Sequence, residues 1–400
     1  MPKTVLLTIG RMPKALEVAR ALSGAGHRVL VADPFAWHIC RISRAVTRSF
    51  TTRAPNDDRA GYLDDLLAII EREGVDLVVP LSEETMHVVG LQDRLPTGVT
   101  LYTSDRELVR SLHDKRAFNA LAAQHGLSVP ATARLGDQAA AELAALSETV
   151  IKPVFSCAGM GVQFLARGAE LPAAGETPQI VQARVRGATR SSFTVAHRGR
   201  VVSTVVYEGT VNQGTVAVAF RRVDDAHAVE AWAERLVQAI EYHGFISLDF
   251  IVDAEGVPFA IECNPRATSG VHFLESAGLA AAMLPSDPGT MPAAIPKRPD
   301  RHFQQLLNTL TETQGAMFTG KRFRDKLRHL IDARDVVWSR RDPWPFLLMT
   351  PVAYQILALS IFQRIPLGEA ATRDIGWFRD PPSISAPAND SSAKQLLHTS

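Results

Sequence analysis

Two stretches of this chain carry acidic and amide side chains at spacings that could let them share a cation. Phe245-Ile246-Ser247-Leu248-Asp249-Phe250-Ile251-Val252 is followed by Asp253-Ala254-Glu255-Gly256 and then by Val257-Pro258-Phe259-Ala260-Ile261-Glu262-Cys263-Asn264. Two runs rich in β-branched and aromatic residues, joined by an Asp/Gly turn, read as a β-hairpin. Pairing Val252 with Val257 puts Asp249 opposite Ala260, and a side-chain period of two brings Asp249, Glu262 and Asn264 onto one face. Asp249 and Glu262 then lie on a cross-strand diagonal, about 7 Å apart at the backbone. Two carboxylates and an amide oxygen are hard donors suited to Mg²⁺, or to Mn²⁺ in its place. Mg²⁺ is usually held by one or two carboxylates plus substrate phosphates. The opposite face, Leu248, Phe250, Val252, Phe259, Ile261 and Cys263, reads as core, so acids at the strand centres face a covered cleft rather than open solvent.

Basic residues precede this hairpin. Lys152 lies between Ile151 and Pro153 in a run otherwise fit for burial, and a buried ammonium needs an anionic partner to offset its desolvation. Phosphate oxygens would supply one; an edge strand that lets the lysine reach solvent is the alternative. Directly after comes Ser156-Cys157-Ala158-Gly159-Met160-Gly161, whose backbone N–H groups could close over phosphates. Lys115, next to Asp114 at a helix start, could reach the same ligand or decorate the helix surface.

These residues need elements to position them. Residues 4–9, 14–25 and 28–32 read as a βαβ unit, 62–73 as a helix and 75–81 as a buried parallel strand ending in Ser82-Glu83-Glu84-Thr85. The first β–α turn, Gly10-Arg11-Met12-Pro13-Lys14, lacks the three glycines that a dinucleotide pyrophosphate requires, which disfavours a nicotinamide site. After Ser104 the pattern becomes mixed α+β. The expected organisation is α/β and α+β multidomain. An open parallel α/β domain spans 1–105 and a mixed α+β domain 106–282. A Pro-rich linker at 283–299, a helical region at 300–380 and a disordered tail at 381–400 follow.

The order of these motifs resembles the ATP-grasp superfamily, which includes biotin carboxylase, carbamoyl phosphate synthetase and many carboxylate-amine ligases. The resemblance covers about residues 1–280. It rests on Asp114-Lys115, Val150-Ile151-Lys152-Pro153, the Gly159/Gly161 loop, Val181-Gln182-Ala183-Arg184-Val185, Ser247-Leu248-Asp249-Phe250 and Ile261-Glu262-Cys263-Asn264-Pro265-Arg266. It implies that Lys115 and Lys152 contact the phosphates of ATP and that the Gly159/Gly161 loop covers them. The stretch Gln182, Ala183, Arg184 and Val185 would be the hinge that reads adenine, with Gln182 where glutamate is common. Asp249, Glu262 and Asn264 would be the magnesium ligands, and Arg266 would hold the reacting carboxylate or its acyl phosphate. The residues around 267–272 and 338–345 bear a weaker likeness to the mycosporine-glycine synthase branch. A Met-Lys-Met biotin-attachment context and an amidotransferase segment are both missing, which disfavours biotin-dependent carboxylation and carbamoyl phosphate synthesis. The implied activity is an ATP- and Mg-dependent ligation of a carboxylate to an amine through an acyl phosphate, with a non-catalytic ATP sensor or scaffold as the rival.

Composition narrows the partners. With 43 Lys and Arg against 42 Asp and Glu there is no global basic field, so small-molecule substrates are expected and nucleic acid is not. Three widely spaced cysteines, Cys40, Cys157 and Cys263, argue against a disulfide framework, and the N-terminus runs straight into a strand pattern; a cytoplasmic location is expected. Residues 344–362 contain no charge and are bracketed by Arg340, Arg341 and Arg364. Pro345 and Pro351 restrict a continuous helix to about 351–364, short of a membrane span. Packing on the catalytic body or on a homodimer partner is the first reading of this segment, peripheral membrane contact the second.

Overall fold

The computed structural model describes residues 1–156, 161–213, 216–285, 290–319, 323–347, 349–365 and 367–377. Gly159 and the tail at 381–400 therefore lie outside the described residues, as does Cys157.

The chain opens with alternating strands and helices: β1 (Thr4–Leu7), α1 (Pro13–Gly24), β2 (Arg28–Asp33), β3 (Arg48–Thr51), α2 (Arg59–Glu73), β4 (Leu77–Val79), the single turn α3 (Thr85–Val88) and β5 (Thr100–Leu101). The strands form one parallel sheet in the order β3-β2-β1-β4-β5, as the βαβ reading requires. Its three inner strands, β1, β2 and β4, are buried on both faces, with Val5 and Leu7 against α1 and Leu6, Leu30 and Val78 against α2. The order reverses between β1 and β4, and a crevice at their carboxyl ends is the usual ligand position in such sheets.

Two helices, α4 (Arg106–His113) and α5 (Lys115–Gln124), lead out of this domain. Asp114 caps α5 by accepting from the N–H groups of Arg116 and Ala117, which fixes Lys115 as the first residue of the helix. Then follow β6 (Thr132–Arg134), α6 (Gln138–Leu146), β7 (Thr149–Pro153), β8 (Gln163–Leu165) and β9 (Gln179–Ala183). These strands make an antiparallel sheet, β6-β9-β7-β8, packed on α6 through Leu135, Ala140, Ile151 and Val181. Strand β7 is interior, so Lys152 is not on an edge.

A larger, seven-stranded sheet follows in the chain. The long strands β10 (Ala188–His197), β11 (Arg200–Gln213) and β12 (Val216–Arg222) are followed by α7 (His227–Ala239) and the hairpin β13 (Gly244–Val252) and β14 (Pro258–Asn264). Then come α8 (Ser276–Met283), β15 (His302–Gln304), α9 (Leu306–Thr319), α10 (Phe323–Asp332), β16 (Arg334–Asp335), α11 (Trp344–Leu347), α12 (Met349–Gln363) and α13 (Leu367–Ala370). The sheet order is β14-β13-β10-β11-β12-β15-β16. The region after residue 300 is thus not only helical: β15 and β16 extend the large sheet. One hydrophobic core joins Val5 and Leu7 of β1, Phe193 of β10, Phe303 of β15 and Ile375 near the C-terminal end of the described chain.

The end of the described chain straps across the parallel sheet. Arg11, fully buried, pairs with Asp33 and with Asp374, and stacks over Phe35. The Asp33 carboxylate also accepts the N–H groups of Gly10, Arg11 and Phe35 at 2.8, 3.0 and 2.7 Å. An internal carboxylate therefore fills the turn where a dinucleotide fold would seat its pyrophosphate, in keeping with the missing glycines.

Candidate active site

Strand β13 turns into β14 through Asp253, whose side chain accepts from Glu255 and Val257, while Gly256 takes φ +83. The loop is longer than the sequence pattern suggests, and Val252 pairs with Pro258 rather than Val257. A bulge then shifts the register again. Phe250 faces Ala260, Ile261 is the extra residue, and Asp249 stands directly opposite Glu262 instead of opposite Ala260. The bulge also changes the core face. Ala260, Cys263, Leu248 and Phe250 pack against Trp232 of α7, whereas Phe259 and Ile261, expected there, are only half-buried. Periodicity alone does not reveal a bulge, because one inserted residue breaks the alternation without altering the hydrophobic content.

The bulge sharpens the cluster. Asp249 accepts from Ser191 Oγ at 2.6 Å and meets Asn264 Nδ2 at 3.3 Å. Burial and the charge of Glu262 push its carboxyl up to about 6. Glu262 in turn receives Lys115, whose Nζ is 3.4 Å from Oε1 and donates to the Ser156 carbonyl at 2.9 Å. Lys115 is buried, so it faces the cluster rather than the helix surface. Lys152 donates to the carbonyl of the bulged Ile261 at 2.8 Å, and burial lowers its ammonium to about 8 in spite of nearby Glu262. Of the expected glycine loop, Gly161 adopts φ +71 close against Pro153 and begins the approach to β8.

The four residues expected to form a hinge differ in their surroundings. Gln182 is buried in β9 between β6 and β7, and its Nε2 donates to Thr132 Oγ1 at 2.9 Å, which leaves the amide oxygen as its acceptor. Ala183 closes the strand through its N–H to the Ala131 carbonyl, Arg184 turns outward to Glu148 and stacks over Phe164, and Val185 follows outside the strand.

Arg266 reaches across from the hairpin to the parallel sheet. It pairs with Glu83 and donates to Asn264 Oδ1 at 2.9 Å. Glu83 is buried beyond β4, at the crevice between β1 and β4, and Arg266 keeps its carboxyl below the usual range against the cost of burial. Its neighbour Glu84 ties the two strand ends together by accepting from Thr8 Oγ1 and from the N–H groups of Leu81 and Ser82. His113, the last residue of α4, stacks on Phe155 and is near enough to Glu83, Lys115, Arg266 and Glu262 to feel each charge. It is buried, which lowers its pKa, and its Nε2 has no hydrogen-bond partner among the described residues. Sequence reasoning missed Ser191, Glu83 and His113. Only the Ser-Glu-Glu end of β4 carried a signal, as a polar loop closing a buried parallel strand. Arg221, Arg222 and His272 are engaged in other ion pairs: Arg221 with Glu208, Arg222 with Asp224, and His272 with Glu17.

The donor set suits a hard cation. Two carboxylates face each other across a strand pair, the Asp249 carboxyl held up by burial and then by the charge of Glu262, and a divalent ion would relieve that repulsion. Among the described residues no group of three or more His, Cys, Asp and Glu gathers.

Residues 112–270 match the model of the ATP-grasp domain. No curated protein matches the chain in sequence. Solved structures share its fold. The biotin carboxylase of Campylobacter jejuni, solved with a β,γ-ATP ligand, is 15% identical with TM-score 0.61, over 76% of this chain and 74% of that one. The biotin carboxylase domain dimer of Hydrogenobacter thermophilus 2-oxoglutarate carboxylase, solved with MgADP, ADP and bicarbonate, is 13% identical with TM-score 0.59, over 76% and 73%. The L-amino acid ligase of Bacillus licheniformis is 16% identical with TM-score 0.56, over 75% and 78%.

Proposed function

We propose that the protein is an ATP-dependent ligase that phosphorylates a carboxylate and joins it to an amine or similar nucleophile. The observation that carries this reading is the facing pair Asp249 and Glu262, flanked by two buried lysines, inside an ATP-grasp domain. ATP would lie between the four-stranded sheet and the larger one, with adenine on β9 and the Gln182 amide oxygen accepting from its amino group. Lys115 and Lys152 would donate to phosphate oxygens, each exchanging a backbone carbonyl partner for an anionic one. Asp249 and Glu262 would hold Mg²⁺ or Mn²⁺, which neutralises charge on the phosphates during transfer. Asn264 would join them after a half-turn of its amide, since its oxygen now faces Arg266.

Arg266 would exchange Glu83 for the substrate carboxylate and then hold the acyl phosphate bidentately while the amine attacks the carbonyl and the carbonyl carbon–oxygen bond breaks to release inorganic phosphate. Release of Arg266 frees the Glu83 carboxylate beside a neutral His113, a pair able to bind an ammonium group and accept its proton. A homodimer is compatible with this chemistry and is not required by it.

The test is ADP release by the full chain against a panel of carboxylates paired with amines. Stimulation that needs both substrates, lost in Lys152→Ala, supports the ligase. Tight ATP binding with no turnover on any pair favours the sensor or scaffold reading instead.

A further inference from the structure

The surface around α12 has no counterpart in the chemistry above. Helix α12 contains no charged residue over Met349–Gln363. One side packs inward, with Val352 buried and Met349, Ile356 and Phe346 of α11 against the main core. The other side is bare: Tyr354, Ile361 and Phe362 are 71%, 65% and 85% exposed, and Leu357 and Leu347 project beside them. Trp37, in the loop after β2, stands 59% exposed across a shallow groove lined by Tyr354, Ala358 and Phe362. Trp338 and Trp344 extend the same apolar edge. Isolated exposed apolar residues need no explanation, but a contiguous patch with this many aromatic rings marks a contact surface.

Charge decides the partner. The segments 34–48 and 338–365 that bear the patch hold Arg41, Arg44, Arg340, Arg341 and Arg364, all exposed, together with Arg48, which pairs with Glu73. Their one acid, Asp342, is buried and bonded to Arg20, Ser43 and the Arg44 N–H. An isologous dimer through this surface would set arginines against arginines. A bilayer surface with anionic headgroups complements both features: the rings and aliphatic side chains enter the acyl boundary, and the guanidinium groups meet phosphates. Spanning is not available to this helix. Its 15 residues reach about 22 Å against a hydrocarbon core of roughly 30 Å, and no helix among the described residues is long and apolar enough to cross.

We propose that the α12 face and Trp37 form a peripheral docking surface for anionic lipid bilayers, with the helix lying in the plane of the interface. The inference is independent of the reading of the cleft. It is tested by co-flotation of the full chain with vesicles of phosphatidylcholine alone and of an equal mixture of phosphatidylcholine and phosphatidylglycerol. The mixed vesicles should carry the protein upward, raised ionic strength should release it, and Phe362→Ser with Tyr354→Ser should weaken binding by about tenfold or more. Both substituted side chains are exposed, so folding survives, and Arg340→Glu with Arg341→Glu provides a second variant acting through charge alone. No flotation with mixed vesicles, or flotation unchanged in both variants, overturns the proposal. So does light scattering that shows a dimer converted to monomer by Phe362→Ser, which would give the patch to a second copy of the chain.

Discussion

Asp249 carries the most informative pH behaviour in the molecule. Burial and Glu262 raise its carboxyl from an ordinary 3.8 to about 6, so in the absence of a cation ionising it costs stability as pH rises between those values. A divalent ion needs the ionised form and competes with the proton. Cation-dependent nucleotide binding should therefore weaken as pH falls through about 6, and Asp249→Asn should weaken it throughout and flatten that profile, as followed by fluorescence of a labelled nucleotide. His113 makes a different prediction. His113→Phe keeps the stack on Phe155 and removes the imidazole nitrogens, so kcat with the amine should drop by roughly 10²-fold while the KM for ATP changes little. An equal loss in both would reduce His113 to a packing role. At this scale the sequence was read well where side-chain chemistry alone decides: Asp249, Glu262, Lys152 and Lys115 do converge. It was silent on Ser191, Glu83 and His113, because strand pairing and the docking of α4 bring them in from distant segments, and neither leaves a local pattern.

Elements are joined by buried charge. Glu17 on α1 accepts from Arg298 and meets His272 Nδ1 at 3.1 Å, tying the parallel domain to the turn after the hairpin and to the segment before β15. These partners outweigh the cost of burial and hold the Glu17 carboxyl at about 2, against an ordinary 4.5. A depressed carboxyl contributes stability that is complete above 4.5 and is lost as pH falls toward 2. Glu17→Gln should cost on the order of 3 kcal/mol at neutral pH and remove that part of the acid transition, measurable by chemical denaturation. The hairpin shows what patterning can and cannot supply at this level. Alternation and turn residues located both strands and the shared acidic face, while the register slipped because the Asp253 turn is longer and Ile261 is bulged. The region after 300 looked helical because β15 and β16 are too short to show a period and exist only as additions to an edge that β12 offers.

Across the whole molecule, catalysis as proposed requires the parallel domain to stay seated on the segment that matches the ATP-grasp model, since Glu83 comes from one and Arg266 from the other. The C-terminal strap contributes to that seat: Asn56 donates to the Arg373 and Gly376 carbonyls, and Trp377 packs edge-on against His87. The central claim remains that the hairpin face holds a divalent ion carrying a triphosphate. The most direct measurement is calorimetric titration of the full chain with ATP, with magnesium present and with it chelated, for the native sequence and for Glu262→Gln. Saturable binding that weakens by about tenfold or more on chelation, and that responds little to magnesium in the variant, is the expected result. Equal affinity with and without magnesium in the native protein, or no binding at all, would contradict the account.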